Sequence, residues 1–341
     1  MTGFRIAVVG ATGAVGQVFL SVLAQRQFPI STLRVCASER SVGRNIVVNG
    51  RDHSVEPVSD ELLAASDFVF ISATTDVSRE VGRRAAELGA VAIDDSSAFR
   101  MDPGVPLVVP EVNARDLDGH RGIVAIPNCS TTPLAMVLDA LGGLSRVERV
   151  IVDTYQSVSG TGSAAVRELQ DQSAVVLGGG RPEAKVYPHQ IAFNALPHID
   201  DFGDDGYTVE ERKMVNETRK ILHRPDLPLS ATCVRVPVTV GHSEAVHVEF
   251  EAPVDPDAAR GALAEYPGIA LVDDPAGHRY PMPIDAEGQD DVAVGRIRTD
   301  SSHPRGLALW LASDNLRKGA ALNAIQIAEE MVRRELVTPP N

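Results

Sequence analysis

Paired cysteines are missing from this chain. Its 341 residues include three, Cys36, Cys129 and Cys233, an odd number with no CxxC spacing. That excludes a disulfide framework and a zinc ribbon, suits a reducing compartment, and leaves no metal to be expected. Positive charge is also short: 32 Lys and Arg against 46 Asp and Glu leave a formal charge of −14. So acidic a surface repels phosphate backbones and anionic headgroups, which argues against nucleic-acid or membrane partners. An anionic substrate must then be met by a few placed cations. Long hydrophobic runs are absent as well. The opening MTGFRIAVVGATGAVG has only the four apolar residues 6–9 ahead of Gly10, too short for a signal-peptide core or a membrane span, and the protein is expected in the cytoplasm. No internal repeat, low-complexity tract or long linker interrupts the chain.

What is present reads as two domains, because 341 residues exceed the roughly 250 to 300 at which a single core stops growing. Up to residue 113 the apolar runs RIAVVG, LRVCAS, DFVFISAT, AVAIDDSS and PLVVPEVN alternate with helical patterns over 14–27, 61–65 and 77–89. Strands separated by helices of that length imply a parallel sheet built from right-handed crossovers. From Val147 the runs RVIVDTYQSVSG, LSATCVRVPVTVG, EAVHVEFEAPV and DVAVGRIRTD are longer, β-branched and partly alternating, which suits a mixed or antiparallel sheet with one covered face. The segment 315–336, with Leu316, Ala320, Ile325, Ala328 and Val332 at near-helical spacing, reads as one long amphipathic helix that can return to the first domain. The expected fold is α/β: an N-terminal Rossmann-like dinucleotide-binding domain plus an α+β catalytic domain with a mixed sheet.

Two stretches carry chemistry. In RIAVVGATGAVGQVFL a strand leads through Gly10, Gly13 and Gly16 into a helix near Ala14. Glycines let the backbone approach a pyrophosphate, and the helix supplies unpaired N–H groups. The spacing is GxxGxxG rather than GxGxxG, so a plain packing turn remains an alternative. Beyond the second strand, VCASERSVGR offers Ser38, Arg40, Ser41 and Arg44 with Glu39 the only acid. An NAD site presents an acid to the ribose diol there, so this composition favours the 2′-phosphate of NADP, although Arg40 also reads as a solvated loop charge.

The second stretch is GIVAIPNCSTTPLAMVLDAL, where a strand-like run stops at Pro127 and a helix begins around Ser130 or Thr131, with Pro133 in its first turn. Cys129 thereby falls at a helix N-terminus, whose field stabilises a thiolate. Those N–H groups and Asn128 can cradle an oxyanion. Cys36 and Cys233 lie inside strand-like runs and read as structural. A thiol nucleophile benefits from an acid/base partner. Among nine histidines, His242 follows Gly241 at a break between two strand patterns, whereas His247 reads as a sheet-face residue. A dinucleotide site with a thiol suggests aldehyde-level redox chemistry through a thioester.

In order along nearly the whole chain, GATGAVG, DDSSAFR, PNCSTTP, QSVSGTG, EERKM, RVPVTVGHSEAV and DNLRKGAA resemble the aspartate-β-semialdehyde dehydrogenase family, of the bacterial NADP-dependent kind. The resemblance implies reductive dephosphorylation of L-4-aspartyl phosphate by NADPH. It implies Cys129 as acyl-thioester nucleophile, His242 as general acid/base and Gln156 as the orienting glutamine. Arg235 would clamp the substrate carboxylate and Glu210 receive its ammonium, with Arg100 and Lys213 at the phosphate and Asn128 beside the nucleophile. Gly10, Thr12, Gly13, Ala14, Val15, Ser38, Arg40, Ser41, Ser159, Gly160 and Asn315 would meet NADP. Residues 1–128 and 315–341 would form the cofactor domain and 129–314 the catalytic and dimerisation domain, in a homodimer or a dimer of dimers. The rivals are an N-acetyl-γ-glutamyl-phosphate reductase, whose nucleophile has Gly and Tyr beside it where Asn128 and Ser130 stand here, and a non-catalytic NADP-binding protein on the same fold.

Overall fold

The structure, a computed structural model, describes residues 3–339. Contacts divide it into two compact units. One comprises the residues up to Asn128 together with those from Ala320 onward; the other runs Cys129–Gly319. Among the described residues no helix is long and apolar enough to cross a membrane.

The first unit contains β1 (Phe4–Val9), α1 (Ala14–Gln25), β2 (Ile30–Cys36), β3 (Asn45–Val48), β4 (Arg51–Glu56), α2 (Asp60–Ala64), β5 (Phe68–Ile71), α3 (Thr75–Glu87), β6 (Val91–Asp94), α4 (Pro110–Asn113) and β7 (Ile123–Ala125). The sheet order is β3-β4-β2-β1-β5-β6-β7, parallel except for the β3–β4 pair. From β1 the chain builds outward first to β2 and later, on the other side, to β5, so the sheet reverses direction where a Rossmann-type sheet binds its ligand. Gly10 stands at that point with φ +88, and a Cβ on it would lie 1.9 Å from the Ser72 carbonyl oxygen. Only glycine fits there.

One expectation fails locally, and one hairpin lies outside the expectations. PLVVPEVN is not a strand: Leu107 makes only an isolated parallel bridge to Ala125, and Pro110 opens α4. Asn113 closes that turn, its Oδ1 accepting from Val109 N at 2.9 Å and its Nδ2 donating to Leu107 O at 2.8 Å. The β3–β4 hairpin was not anticipated, although its turn residues Asn49 (φ 50) and Gly50 (φ 74) are a strong short-range hairpin signal.

The second unit contains α5 (Thr131–Gly142), β8 (Val147–Gln156), α6 (Ser163–Leu177), α7 (Val209–Ile221), β9 (Leu229–Arg235), β10 (His242–Phe250), α8 (Pro256–Glu265), β11 (Ile269–Leu271), α9 (Pro283–Ala286), β12 (Val292–Thr299) and β13 (Gly306–Ser313). Its sheet runs β11-β12-β13-β10-β8-β9. It is mixed: β8–β9 and β11–β12 are parallel, while β8–β10, β10–β13 and β12–β13 are antiparallel. Helices α5, α7 and α8 pack on it, and β10 turns His242, Glu244, Val246, Val248 and Phe250 into the buried face.

The expected helix over 315–336 is shorter. A five-residue π-turn, Arg317–Ala321, precedes α10 (Leu322–Arg333). The Asp314 carboxylate accepts from the N–H groups of Leu316 (2.8 Å) and Arg317 (3.2 Å), while Gly319 N reaches back to Asp314 O at 3.3 Å. An i→i+5 bond replaces the i→i+4 ladder there. Helix α10 belongs to the first unit, where Ile325, Ala328 and Met331 share a core with Phe19, Leu20 and Leu23 and Arg26 pairs with Glu329 at 2.6 Å.

Candidate active site

Cys129 is half-buried and immediately precedes Ser130, the N-cap of α5. The first turn of α5 contains no acidic residue, and the helix field at this end favours a thiolate. The other thiols differ. Burial pushes Cys36 up to about 12 and raises Cys233 well above the ordinary thiol range; both thiols are buried in strands. The π-turn presses close to the nucleophile: a Cβ on Gly319 would lie 2.8 Å from Cys129 Cβ and 3.1 Å from its Cα.

The sheet face of the same unit brings most of the remaining candidates together. Gln156 stands opposite Arg235 in the β8–β9 register. Gln156 Nε2 donates to Glu210 Oε1 at 2.9 Å, and Glu210 Oε2 lies 3.1 Å from Lys213 Nζ. Glu210 and Lys213 share one face of α7, as their spacing of three implied. Burial pulls the Lys213 ammonium down, but Glu210 and Asp200, the latter at 2.5 Å, outweigh it and raise the group above its ordinary value. Arg235 is buried. Its Nη1 donates to Ser157 O at 2.6 Å, and its Nε has no partner among the described residues.

His242 is fully buried. Burial first, then the charge of Arg235, lowers it to about 3, so the ring is neutral. Its Nδ1 accepts from Ser157 N at 3.0 Å, and its Nε2 has no partner among the described residues. A Cβ on Gly160 would lie 3.2 Å from Arg235 Nη1 and 3.3 Å from His242 Nε2. Glycine at 160 therefore leaves space in front of both groups.

In the first unit, Gly10, Thr12, Gly13, Ala14 and Val15 form the loop and first turn at the end of β1. Gly10 N and Ala11 N donate to Cys36 O at 2.9 and 3.0 Å, which ties the loop to the end of β2 and so to Ser38, Arg40 and Ser41. Thr12, Gly13, Ser38 and Arg40 are exposed, while Ser41 is buried in the 3-10 turn Glu39–Ser41. Arg100 and Asn128 also lie in this unit, both buried; Arg100 Nη2 donates to Asp95 O at 2.7 Å. Ser159 and Asn315 are interior to the second unit. The Asn315 carboxamide is occupied there: Oδ1 accepts from Gly241 N at 2.9 Å and from the hydroxyls of Ser157 and Ser159 at 3.1 and 3.2 Å.

Sequence reasoning missed three residues around this site. Ser157 and Gly319 were inside quoted motifs, QSVSG and RKGAA, but nothing local distinguishes them from their neighbours. Glu244 is two residues from His242 on the same buried face, with both carboxylate oxygens unpartnered among the described residues. A glutamate in a strand normally reads as solvent-facing.

Comparison with known proteins matches both units. A family profile described as semialdehyde dehydrogenase, NAD binding domain, covers residues 5–120, and one described as semialdehyde dehydrogenase, dimerisation domain, covers 137–318. The chain is 48% identical over 339 residues to the aspartate-semialdehyde dehydrogenase of Aquifex aeolicus, covering 98% of this chain and 100% of that one. The solved structure of Vibrio cholerae aspartate semialdehyde dehydrogenase II complexed with ASA superposes with a TM-score of 0.95 at 45% identity, over 98% of this chain and 99% of that one. A Candida albicans aspartate semialdehyde dehydrogenase solved with NADP gives a TM-score of 0.78 at 25% identity, over 98% and 100%.

Proposed function

The chain belongs to the aspartate-semialdehyde dehydrogenase family, and from that membership we propose that Cys129, His242, Gln156, Arg235, Glu210 and Lys213 carry the family's reaction in the second unit. The reaction is the NADPH-dependent reductive dephosphorylation of L-4-aspartyl phosphate to L-aspartate 4-semialdehyde and phosphate, and its reverse. The rival N-acetyl-γ-glutamyl-phosphate reductase is not favoured, since the relatives above are named aspartate-semialdehyde dehydrogenases.

The first unit fits the cofactor. Helix α1 begins at Gly13 with no side-chain cap and no acid in its first turn, so its N–H groups are available to a pyrophosphate. Exposed Ser38 and Arg40 at the end of β2 suit a 2′-phosphate. NADPH, when bound, supplies the hydride.

The chain's own residues do the rest. The Cys129 sulfur, favoured as thiolate by the amino end of α5, attacks the acyl phosphate carbon and expels phosphate. The resulting thioester is reduced to a thiohemiacetal, which collapses to aldehyde and free thiolate; two easier steps replace one hard one. His242 moves the proton at Nε2. Arg235, with its Nε still unpartnered, forks onto the substrate carboxylate. Glu210 meets the ammonium, and Lys213 with Arg100 meets the phosphate. The observation that carries this reading is the buried, unsatisfied His242 Nε2, which borders the space that Gly160 leaves open together with Arg235 Nη1, on a guanidinium whose Nε is unsatisfied as well. Buried polar groups without partners are rare and mark places where a ligand completes them.

We propose further a homodimer or dimer of dimers built through the second unit, and cytoplasmic residence, which suits three cysteines outside any disulfide. The test of the central claim is mass spectrometry of enzyme incubated with L-aspartate 4-semialdehyde and NADP in the absence of phosphate. An acyl adduct is expected on the Cys129 peptide, with none in Cys129→Ala and turnover of that variant lost by more than about a thousandfold. An adduct elsewhere, or a C129A enzyme of near-wild-type rate, overturns it.

A further inference from the structure

Behind His242 lies a set of hydroxyls and an amide that the reaction as described leaves unused. His242 Nδ1 has two neighbours, both from Ser157: the backbone N–H at 3.0 Å and the side-chain Oγ at 3.0 Å. They differ in kind. The N–H can only donate, so it is satisfied when Nδ1 bears a lone pair and the neutral ring carries its proton on Nε2. In that form Nε2 cannot accept a proton. The hydroxyl can donate or accept, and it is what makes the other form reachable.

Ser157 Oγ lies 3.1 Å from Asn315 Oδ1 and 3.1 Å from Ser159 Oγ. Asn315 Oδ1, an acceptor only, is fixed by Gly241 N at 2.9 Å, and Asn315 Nδ2 donates to Ser159 Oγ at 2.9 Å. All of these side chains are buried, so no bulk water stands in for them. The charged groups that act on the ring are Arg235 from β9 and Glu210 from α7. The neighbouring Asp314 carboxylate is taken up by the N–H groups of Gly288, Leu316 and Arg317.

We infer that Ser157 and Asn315 are positioning residues for the proton transfer: with the ring proton on Nδ1, Nδ1–H donates to Ser157 Oγ, whose own proton turns onto Asn315 Oδ1, leaving Nε2 open to take a proton. In this form the Nδ1–H bond stays intact and the Ser157 N–H gives up its bond to Nδ1; the bond that forms and breaks is Nε2–H. One proton arrives at Nε2 from the reacting group and returns to it, while the serine hydroxyl rotates to follow. A third group that orients the base is the general arrangement of such sites; here its end is a neutral carboxamide. The inference also gives Asn315 a role apart from the cofactor contact that the family resemblance implies.

It rests on His242 as the proton-handling group, and the experiments separate the two. Ser157→Ala keeps the backbone N–H and removes only the hydroxyl, so kcat should fall about 10- to 100-fold. NADPH affinity, measured by nucleotide fluorescence, should stay within about twofold of wild type, and Ser157→Thr should restore part of the rate. ¹⁵N NMR of the His242 ring should show only the Nε2–H form in S157A, with Nδ1–H populated in the parent. Asn315→Asp puts charge behind the serine and should move the kcat–pH limb upward; it serves as the second variant should S157A not fold. A wild-type rate and ring tautomer in S157A, an unmoved limb in N315D, or Asn315→Ala that weakens NADPH about tenfold at unchanged saturated kcat would each overturn the relay. An inactive His242→Ala beside a wild-type-like S157A removes this inference alone; an active H242A removes the reading beneath it.

Discussion

Glu244 is the residue whose environment is least visible in the primary structure. HSEAV reads as an alternating strand with its acid in water, yet β10 is a central strand between β8 and β13, and its even-numbered positions face the helices. Burial alone raises the Glu244 carboxyl well above the ordinary range, and both oxygens lack partners among the described residues. Its folded pKa therefore exceeds the unfolded value of about 4.3. For such a group the contribution to stability is fully present below about pH 4.3 and is lost as pH rises through the folded value. Glu244→Gln, neutral at every pH, should flatten that slope: its Tm relative to wild type should be higher at pH 8 than at pH 4.5, each kcal/mol being worth roughly 2 to 4 °C. A pH-independent difference in Tm would show that Glu244 ionises freely in the folded protein. Cys129, by contrast, was legible because its signal is local: Pro127 ends one run and Pro133 opens another, so the thiol's place at a helix start needs no knowledge of distant neighbours.

Short elements show the same division between local and distant causes. The glycine loop and α1 were readable from spacing, whereas Glu210 and Lys213, which form an i,i+3 pair on α7, were singled out only by the family resemblance. The helix over 315–336 was not readable, because the apolar periodicity of Leu316, Ala320 and Ile325 does not register a carboxylate that captures the first two amides. The π-turn that results has a consequence at Gly319, which keeps an ordinary φ, so glycine is required there for close approach rather than for backbone freedom. In Gly319→Ala the new methyl would meet Cys129 Cβ and Cα at 2.8 and 3.1 Å, and neither can swing aside as a flexible side chain would. Overpacking of this kind costs about 1 to 3 kcal/mol, and displacing a nucleophile by an ångström costs about a hundredfold in rate. The expected outcome is kcat lowered by about that factor with a modest drop in Tm, read from steady-state kinetics and a thermal melt. Unchanged kcat would show that the turn yields without moving the sulfur.

At the level of the whole molecule, length and the change of strand grammar at Val147 were enough to separate a parallel from a mixed sheet, since those patterns repeat over many residues. What they could not indicate is how the second sheet is finished. Helices cover one of its faces; the other carries Tyr155, paired ring to ring with Trp310 at 5.1 Å, and near it the exposed Tyr280, Met282 and Ile284, the last 75% exposed. Trp310 Nε1 donates to Pro281 O at 3.0 Å, which fixes the 280–284 segment beside the ring. Exposed apolar surface of this extent marks an interaction site rather than ordinary solvent contact, and the matching family profile is named for dimerisation. Two-fold dimers bring the same patch of each subunit together, so a charge placed in it is met by its own copy in a drying interface, where like charges cost several kcal/mol. Tyr155→Asp introduces such a charge on the face away from His242. Light scattering behind size exclusion at micromolar concentration should give twice the 36.3 kDa chain mass for the parent and the single-chain mass for Y155D. Retention of the dimer by the variant, with its far-UV dichroism unchanged, would move the interface to another surface of the second unit.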